Sequence, residues 1–338
     1  MPDAREYRGL TQAREALGGR LDRDAAPCLF DGIDWLQSLH RHCFARMPVR
    51  ILRANEGDAE LWLFLLSPQA RRACALANWY SFSWNPIFLG NPDTALRQRL
   101  LRAAIGMLTP DVAMADMFPV TADDGTADEL IRAFRGAGWF AVRRAFGGRY
   151  DLRLDGRDFA TWWAQRPGPL RTLVRRRSRH PRLTVTITDR LTDRDWNDYV
   201  AVGARSWKEP ETALPFLRAL AQREADAGAL RLGFARLDGV AVATQLWTID
   251  HGVALIHKLA HDRAYDALSP GTLLSHAMFA HAIDVDRVDA IDYGTGDNGY
   301  KADWMDRRRT LYRIDAFNPR FASSWLPAAR AAISALVG

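Results

Sequence analysis

The sequence predicts an α/β protein with mixed sheets, organised as two tandem lobes. Three observations carry that reading. The chain has 338 residues, room for two domains at roughly 150 residues each. Hydrophobic residues make up 48% and charged residues 25%, the balance of an ordinary globular protein rather than a disordered or fibrous one. Above all, one order of elements, β-β-β-α-β-α-β, is legible twice, with a helical bridge between the copies.

In the first copy, residues 49–54, 60–66 and 71–80 read as strands. Asn55, Gly57 and the pair Ser67-Pro68 supply turn signals between them. Asn91-Pro92-Asp93 opens a helix over 93–108. A strand at 112–120, a helix at 127–136 and a strand at 139–146 follow. In the second copy, strands at 230–237, 240–250 and 253–261 are joined by Asp238-Gly239 and His251-Gly252, both short hairpin signals. Leu273, Leu274, Met278 and Ala282 fall in helical register and mark a helix over 272–283. A strand at 290–293, a short helix near 300–305 and a strand at 310–316 complete it. Between the copies, 158–165 and 169–180 read as helices and 182–188 as an alternating strand. Thr192 or Asp193 caps a helix running to about Ser206, and 213–227 is a further helix. The expected boundaries are a first lobe at 1–155, a bridge at 156–228 and a second lobe at 229–338.

Composition removes several function classes. Cys28, Cys43 and Cys74 are odd in number and not at ligand spacing, which argues against a disulfide scaffold or a zinc ribbon, so no metal is expected. The N-terminus lacks an apolar signal-peptide core, and no stretch reaches 18 apolar residues. A cytoplasmic location is expected, with the Trp-containing tail at 325–338 able to touch the inner membrane surface. Of 46 basic residues only Lys208, Lys258 and Lys301 are lysine. Each lies beside an aromatic or imidazole residue, namely Trp207, His257 or Tyr300. Lysine kept against an arginine bias marks positions that call for a compact ammonium.

Several short stretches then carry a resemblance. Ser206-Trp207-Lys208, Ala243-Thr244-Gln245-Leu246-Trp247, His257-Lys258-Leu259-Ala260, Tyr265 with Ser269-Pro270-Gly271, and Asp292-Tyr293-Gly294 with Tyr300-Lys301 occur in that order. Together with the element order, they resemble the bacterial tandem-GNAT acyltransferases. That group includes BioF-associated and cellulose-biosynthesis-type acetyltransferases and is related to the Fem-type aminoacyltransferases. The resemblance covers roughly residues 30–318. It implies two GNAT-like lobes, a degenerate donor site in the first and a working one in the second. The donor it implies is acetyl-CoA or a longer acyl-CoA. The usual pyrophosphate loop, an Arg or Gln followed by two spaced glycines, is reduced here to Leu268-Ser269-Pro270-Gly271-Thr272.

The residues themselves support a site. Ser269, Pro270, Gly271 and Thr272 open a helix, and free N–H groups at a helix start attract anions. Strand 253–261 is expected to splay from its neighbour, so that main-chain N–H groups near Leu259 can hold a thioester oxyanion. His257 and Lys258 are expected on opposite faces of that strand, with Asp292 as an acidic partner for Lys258. Asp292 stands at a strand end before a glycine loop, where α/β sheets present chemistry. There it would orient the acceptor or a base. Tyr300 or Lys301 would protonate the departing thiolate. By resemblance, Trp207, Lys208, Gln245, Asp262 and Tyr265 contact substrate. The aromatic run around Trp79 and Tyr80 reads as core or as the wall of an apolar pocket.

Residues 170–182 hold Arg171, Arg175, Arg176, Arg177, Arg179 and Arg182. This run is a solvated face, or a site for the coenzyme A 3′-phosphate, anionic lipid or tRNA. DNA is not expected, because no DNA-binding signature accompanies it. The expected function is N-acyl transfer by direct attack of an amine on a thioester, with the amine seated between the lobes. The amine would belong to a sugar or a lipid, a long-chain base among them. A Fem-type enzyme using aminoacyl-tRNA and a non-catalytic binding module are the alternatives. The sequence leaves the oligomeric state open.

Overall fold

The computed structural model of the protein describes residues 2–121 and 124–337. The chain divides into two units, Met1–Gly148 with Arg309–Gly338, and Arg149–Arg308. This differs from the expected boundaries. The last predicted strand, counted with the second lobe, belongs to the first unit, and the whole bridge belongs to the second.

The first unit holds β1 (Asp3–Tyr7), α1 (Leu10–Leu17), α2 (Ile33–Cys43), β2 (Val49–Glu56), β3 (Ala59–Leu66), β4 (Arg72–Ala75), β5 (Ile87–Leu89), α3 (Thr94–Gly106), β6 (Met114–Thr121), α4 (Thr126–Gly136) and the first part of β7 (Phe140–Arg153). β3 is buried along its whole length, as a strand covered on both faces must be. β4 and β6 run parallel over Arg72–Cys74 and Met114–Asp116. Asp93 caps α3 by accepting from the Leu96 N–H at 2.8 Å. The predicted strand at 71–80 is cut short. Past Ala75 the chain turns inward as Tyr80, Phe82 and Trp84 fill the core.

The second unit contains the end of β7, α5 (Phe159–Ala164), α6 (Gly168–Arg177), β8 (Leu183–Thr188), α7 (Asp193–Ala204), α8 (Leu214–Asp226), β9 (Leu230–Leu237), β10 (Val240–Asp250), β11 (Val253–His261), α9 (Pro270–Ala280) and β12 (Ala290–Thr295). Its strands lie in the order β7-β12-β11-β10-β9-β8. Asp238-Gly239 and His251-Gly252 have positive φ at both residues, the two-residue hairpins that the sequence signals. Thr192, not Asp193, caps α7 by accepting from the Asp195 N–H at 3.1 Å. The expected second helix of this copy is only a 3-10 turn, Gly299–Asp303.

β13 (Arg307–Phe317) then pairs antiparallel with β6, and α10 (Trp325–Val337) ends the described chain. The place beside β12 is taken by β7, through Arg149–Arg153. The order of strands is thus repeated, with a 3-10 turn in place of the second helix of the second copy, and the closing strands are exchanged. Of the tail flagged for membrane contact, Trp325, Leu326 and Ile333 are exposed, and Gly338 lies outside the described residues. No helix among the described residues is long and apolar enough to cross a membrane.

α9 is set against the sheet by Leu274, Met278 and Phe279, which pack with Trp247, Ile256 and Trp162. Gly233 on β9 allows the close approach, since a Cβ there would stand 2.5 Å from Met278 Sδ and 3.0 Å from Leu274 Cδ1. Overpacking of this kind costs about 1–3 kcal/mol. Gly233→Val is therefore expected to lower the unfolding free energy by that amount, read by urea unfolding; an unchanged midpoint would show that α9 is not held by close packing.

Candidate functional site

β11 is the central strand of the second unit. Its pairing with β10 runs the full length, but its parallel pairing with β12 covers only Val253–Leu255 against Ala290–Asp292. Beyond that point β11 continues to His261 and β12 to Thr295 without pairing to each other. This is the expected splay. β12 is held to its own course by Asp292, which is 2% exposed. Asp292 accepts from Arg149 Nε at 2.7 Å and from the Gly294 N–H at 2.8 Å.

A cleft of about 620 Å³ opens beside the splay. Leu170 and Leu173 of α6, Trp207, Leu259, Tyr293, Tyr300 and Trp304 supply most of its wall. Ser269, Gly271 and Thr272, at the start of α9, close one end. The Ser269 side chain makes no capping bond to the helix, so the first N–H groups of an 11-residue helix remain for an anion. These features fit a thioester donor carrying phosphates. The space over Gly271 is taken by a side chain. A Cβ there would stand 3.2 Å from His261 Nδ1, and His261 Nε2 meets Asp266 Oδ1 at 2.8 Å. Pro270 is buried at the first helical position, so its missing N–H leaves nothing unsatisfied.

A second cavity, about 240 Å³, is bounded by α7, the 203–214 segment and β11. Tyr199, Val200 and Leu214 give it an apolar side, and Lys208, Glu209, Glu211 and Lys258 a charged one. Leu259 lines both cavities. The loop after α7 is likewise shared, since Trp207 stands in the cleft, 50% exposed, while Lys208 stands in the second cavity. Arg205 fastens this loop. Its Nε donates to Asp262 Oδ2 at 2.5 Å and its terminal nitrogen to the Ala241 carbonyl at 3.1 Å.

The three lysines converge here. Lys208 Nζ donates to the Leu259 carbonyl at 2.7 Å. Burial, then repulsion from Lys258 and Lys301, pushes the Lys208 ammonium down to about 8. Lys258 Nζ pairs with Glu211 Oε2 at 2.5 Å, so the expected partnership with Asp292 is not made. Lys301 is 4% exposed, and its Nζ donates to the carbonyls of Tyr293 at 3.1 Å and Thr295 at 2.7 Å. Burial pushes Lys301 down to about 8 as well. Its ammonium ties down the loop after β12 and is not a wall of either cavity.

His257 also departs from expectation. Leu246 is opposite Lys258 and Trp247 opposite Ile256, so His257 is the extra residue of a β-bulge. Trp247 packs on Phe279 of α9, which puts Thr248 on the other face. His257 Nε2 meets Thr248 Oγ1 at 2.9 Å, so His257 and Lys258 share one face instead of alternating. Burial, with Lys258 and Arg223 nearby, pushes His257 down to about 3, and the ring is neutral. Tyr293 and Tyr300 are within hydrogen-bond reach of each other, and burial raises both hydroxyls above their ordinary value. Tyr300 is thus a protonated donor facing the cleft.

Other predicted residues have structural work. Gln245 is buried and bonds Ser275 Oγ at 2.7 Å and Trp247 Nε1 at 2.9 Å, bridging β10 and α9. Asp262 is occupied by Arg205 and by the Ala264 N–H. Tyr265 lies in a 3-10 turn, Arg263–Leu268, and lines neither cavity. Trp79 and Tyr80 belong to the first unit, where Tyr80 is core and Trp79 is 63% exposed. Sequence reasoning missed Glu211, His261, Tyr293, Trp304 and the Leu170/Leu173 pair. Two of these had a signal: Tyr293 stands in the Asp292-Tyr293-Gly294 stretch, and Leu170 and Leu173 are apolar residues three apart in an arginine-rich helix. No group of three or more His, Cys, Asp and Glu among the described residues is placed to hold a metal.

Residues 165–302 match the family model described as "Acetyltransferase (GNAT) domain". No curated protein matches the chain. Solved structures do. The C-terminal domain of a putative lysylphosphatidylglycerol synthetase from Agrobacterium fabrum is 13% identical, with 95% of each chain covered and a TM-score of 0.56. FemX is 9% identical, with 92% of this chain and 96% of that one covered and a TM-score of 0.61. A tandem GNAT protein from the clavulanic acid biosynthesis pathway is 15% identical, covering 92% and 98%, with a TM-score of 0.54. At such identities the likeness is one of fold. Residues 165–302 thus match an acetyltransferase domain of the GNAT type, and the chain shares its fold with a solved tandem GNAT protein.

Proposed function

We propose that the second unit is a thioester-dependent N-acyltransferase, with an acyl-CoA in the larger cleft and an amine acceptor in the smaller cavity. One observation carries this reading: β11 parts from β12 after Leu255, beside a cleft that ends at the start of α9. An acyl carbonyl laid in that gap meets main-chain groups already in place, which is oxyanion stabilisation without reorganisation.

The reaction balances with the groups present. The acceptor ammonium first gives a proton to a carboxylate of the smaller cavity, Glu211 or Glu209 through water. The neutral amine attacks the thioester carbon, forming the C–N bond and an oxyanion. Collapse breaks the C–S bond, and the thiolate takes a proton from Tyr300. The nitrogen loses its second proton, Tyr300 is recharged from solvent, and one proton is released overall. His257 is neutral and turned to Thr248, so it has no part in this relay. Cys28, Cys43 and Cys74 belong to the first unit, and no covalent enzyme intermediate is invoked.

A second reading has one observation in its favour. Arg171, Arg175 and Arg176, on the helix whose Leu170 and Leu173 wall the cleft, and Arg179 just past its end are exposed and form no ion pair among the described residues. A donor carried on tRNA would use such a stripe, and its binding would fall steeply with salt. The acceptor as a sugar or lipid amine, and peripheral contact with an anionic membrane, are compatible with either donor.

Thermal unfolding with acetyl-CoA, a long-chain acyl-CoA and bulk aminoacyl-tRNA decides among these. A rise of several degrees with one thioester is expected, and a rise with tRNA alone, lost at high salt, would replace the donor. No response to any would leave a binding module. Tyr300→Phe is expected to lower kcat by about 10²-fold with KM nearly constant, the scale of general acid catalysis; an unchanged kcat would remove Tyr300 from the proton transfer. Stability should also depend on pH. Lys208 and Lys301 titrate near 8 in the fold against an ordinary 10.5. Between those values the unfolded chain binds more protons, so stability rises with pH. A rise between pH 8 and 9.5 is expected in urea unfolding, smaller in Lys301→Met, and a flat profile in the wild type would contradict the burial of these ammoniums.

A further inference from the structure

The last helix of the first unit has its large apolar residues on the outside. α10 runs from Trp325 to Val337, and its side chains divide by exposure. Pro327, Ala328, Ala331 and Ala332 are half-buried, while Trp325, Leu326, Ala329, Arg330, Ile333 and Ser334 are exposed. An ordinary surface helix turns its large apolar residues inward. Here the half-buried side holds only proline and alanine, and Trp325, Leu326 and Ile333 stand 61%, 60% and 63% exposed. At about 100° per residue, Trp325, Ala329, Ile333 and Leu326 form one continuous apolar stripe, and Arg330 and Ser334 border it on one side. The indole N–H of Trp325 donates to the Pro319 carbonyl at 2.9 Å, which fixes the ring at the head of the stripe.

Size and charge decide what this stripe meets. A helix of 13 residues is about 20 Å long, and a stripe along it covers roughly 200 Å². A stable protein interface takes roughly 800 Å² from each partner, so a second copy laid on this stripe falls well short. A lipid surface sets no such minimum, because each apolar side chain that enters it is buried on its own account. The surrounding charge is of one sign. From Ala316 to Gly338 the sequence holds Arg320 and Arg330 and no Asp or Glu. Both arginines are exposed, and so is Arg71, whose guanidinium lies 5.1 Å from the centre of the Phe321 ring. An apolar stripe edged by arginine in an acid-free segment is complementary to an anionic lipid surface. At that length the helix is short of the roughly 30 Å hydrocarbon core, so it lies in the interface and does not cross.

We propose that α10 is an interfacial helix that seats the first unit on an anionic lipid bilayer. Trp325, Leu326 and Ile333 enter the boundary between headgroups and acyl chains, and Arg330 meets the headgroup phosphates. Binding of this kind uses no group of the second unit and holds whatever donor the cleft takes.

Co-sedimentation of the full chain with vesicles tests this, comparing phosphatidylcholine mixed with phosphatidylglycerol against phosphatidylcholine alone. Binding to the mixed vesicles is expected to be about tenfold tighter or more, and to weaken as salt is raised. Leu326→Ser combined with Ile333→Ser is expected to reduce it by about tenfold or more. Arg330→Gln is expected to reduce it about fivefold, the worth of one basic residue at such a surface. The urea midpoint should stay constant in these variants, because the three side chains are exposed. Lipids with brominated acyl chains are expected to quench tryptophan fluorescence in the wild type and much less in Trp325→Phe. Binding to neither vesicle, equal binding to both, or quenching undiminished in Trp325→Phe would overturn the proposal. So would a dimer seen by sedimentation velocity without lipid and dispersed by Ile333→Ser, which gives the stripe to a second copy.

Discussion

Two parallel strands part after three residue pairs, and the arrangement of the second unit follows from how that parting is stabilised. A strand that leaves its neighbour exposes main-chain donors and acceptors, and buried ones must find other partners. On the β12 side, Asp292 is clamped by Arg149 and accepts from the Gly294 N–H, while Lys301 takes the Tyr293 and Thr295 carbonyls. On the β11 side, Lys208 takes the Leu259 carbonyl. The split is therefore held open from both edges by side chains, and two of those side chains are lysines. A guanidinium is a broad planar fork, suited to carboxylates; a single strand carbonyl in a narrow gap is better matched by a compact ammonium. This gives a physical reason why lysine persists at these positions in a chain that otherwise uses arginine.

The sequence made the right residues visible but not their partners. Lysine scarcity pointed to Lys208, Lys258 and Lys301, and all three meet around β11. Asp292 looked like the natural counter-ion for Lys258 because both sit on strands of one sheet. Glu211, the actual partner, lies in an aperiodic loop, and no periodicity locates a loop side chain in space. The bulge at His257 was equally hidden, since one extra residue reverses the alternation without changing composition. Gln245 and Asp262 carried the resemblance as faithfully as Trp207 did, yet they hold the scaffold. Motif membership does not separate a residue that touches substrate from one that fixes a strand to a helix.

Element order was the most legible layer. Hairpins at Asp238-Gly239 and His251-Gly252 and the caps of α3 and α7 stand as read, and so does the repeat of β-β-β-α-β-α-β save for its last helix, which is a 3-10 turn. The domain boundary did not, and the reason is topological. Local patterning states that residues 310–316 form a strand; it does not state which sheet receives it. That depends on pairing with β6, nearly two hundred residues earlier in the chain, and on β7 filling the place beside β12. The aromatic run near Trp79 left two readings open, because a core and a pocket wall have the same composition; Tyr80, Phe82 and Trp84 take the first.

The loop after α7 couples the two cavities. Arg205 and Asp262 pin its start to the end of β11, Trp207 enters the cleft and Lys208 the smaller cavity. Trp207 and Lys208 are consecutive residues, so the setting of one constrains the setting of the other. Because Lys208 also holds the Leu259 carbonyl, the same contact sets how β11 presents its main chain to the gap. One ammonium therefore links the wall of the smaller cavity to the strand that borders the cleft, and a change in its setting is felt at both.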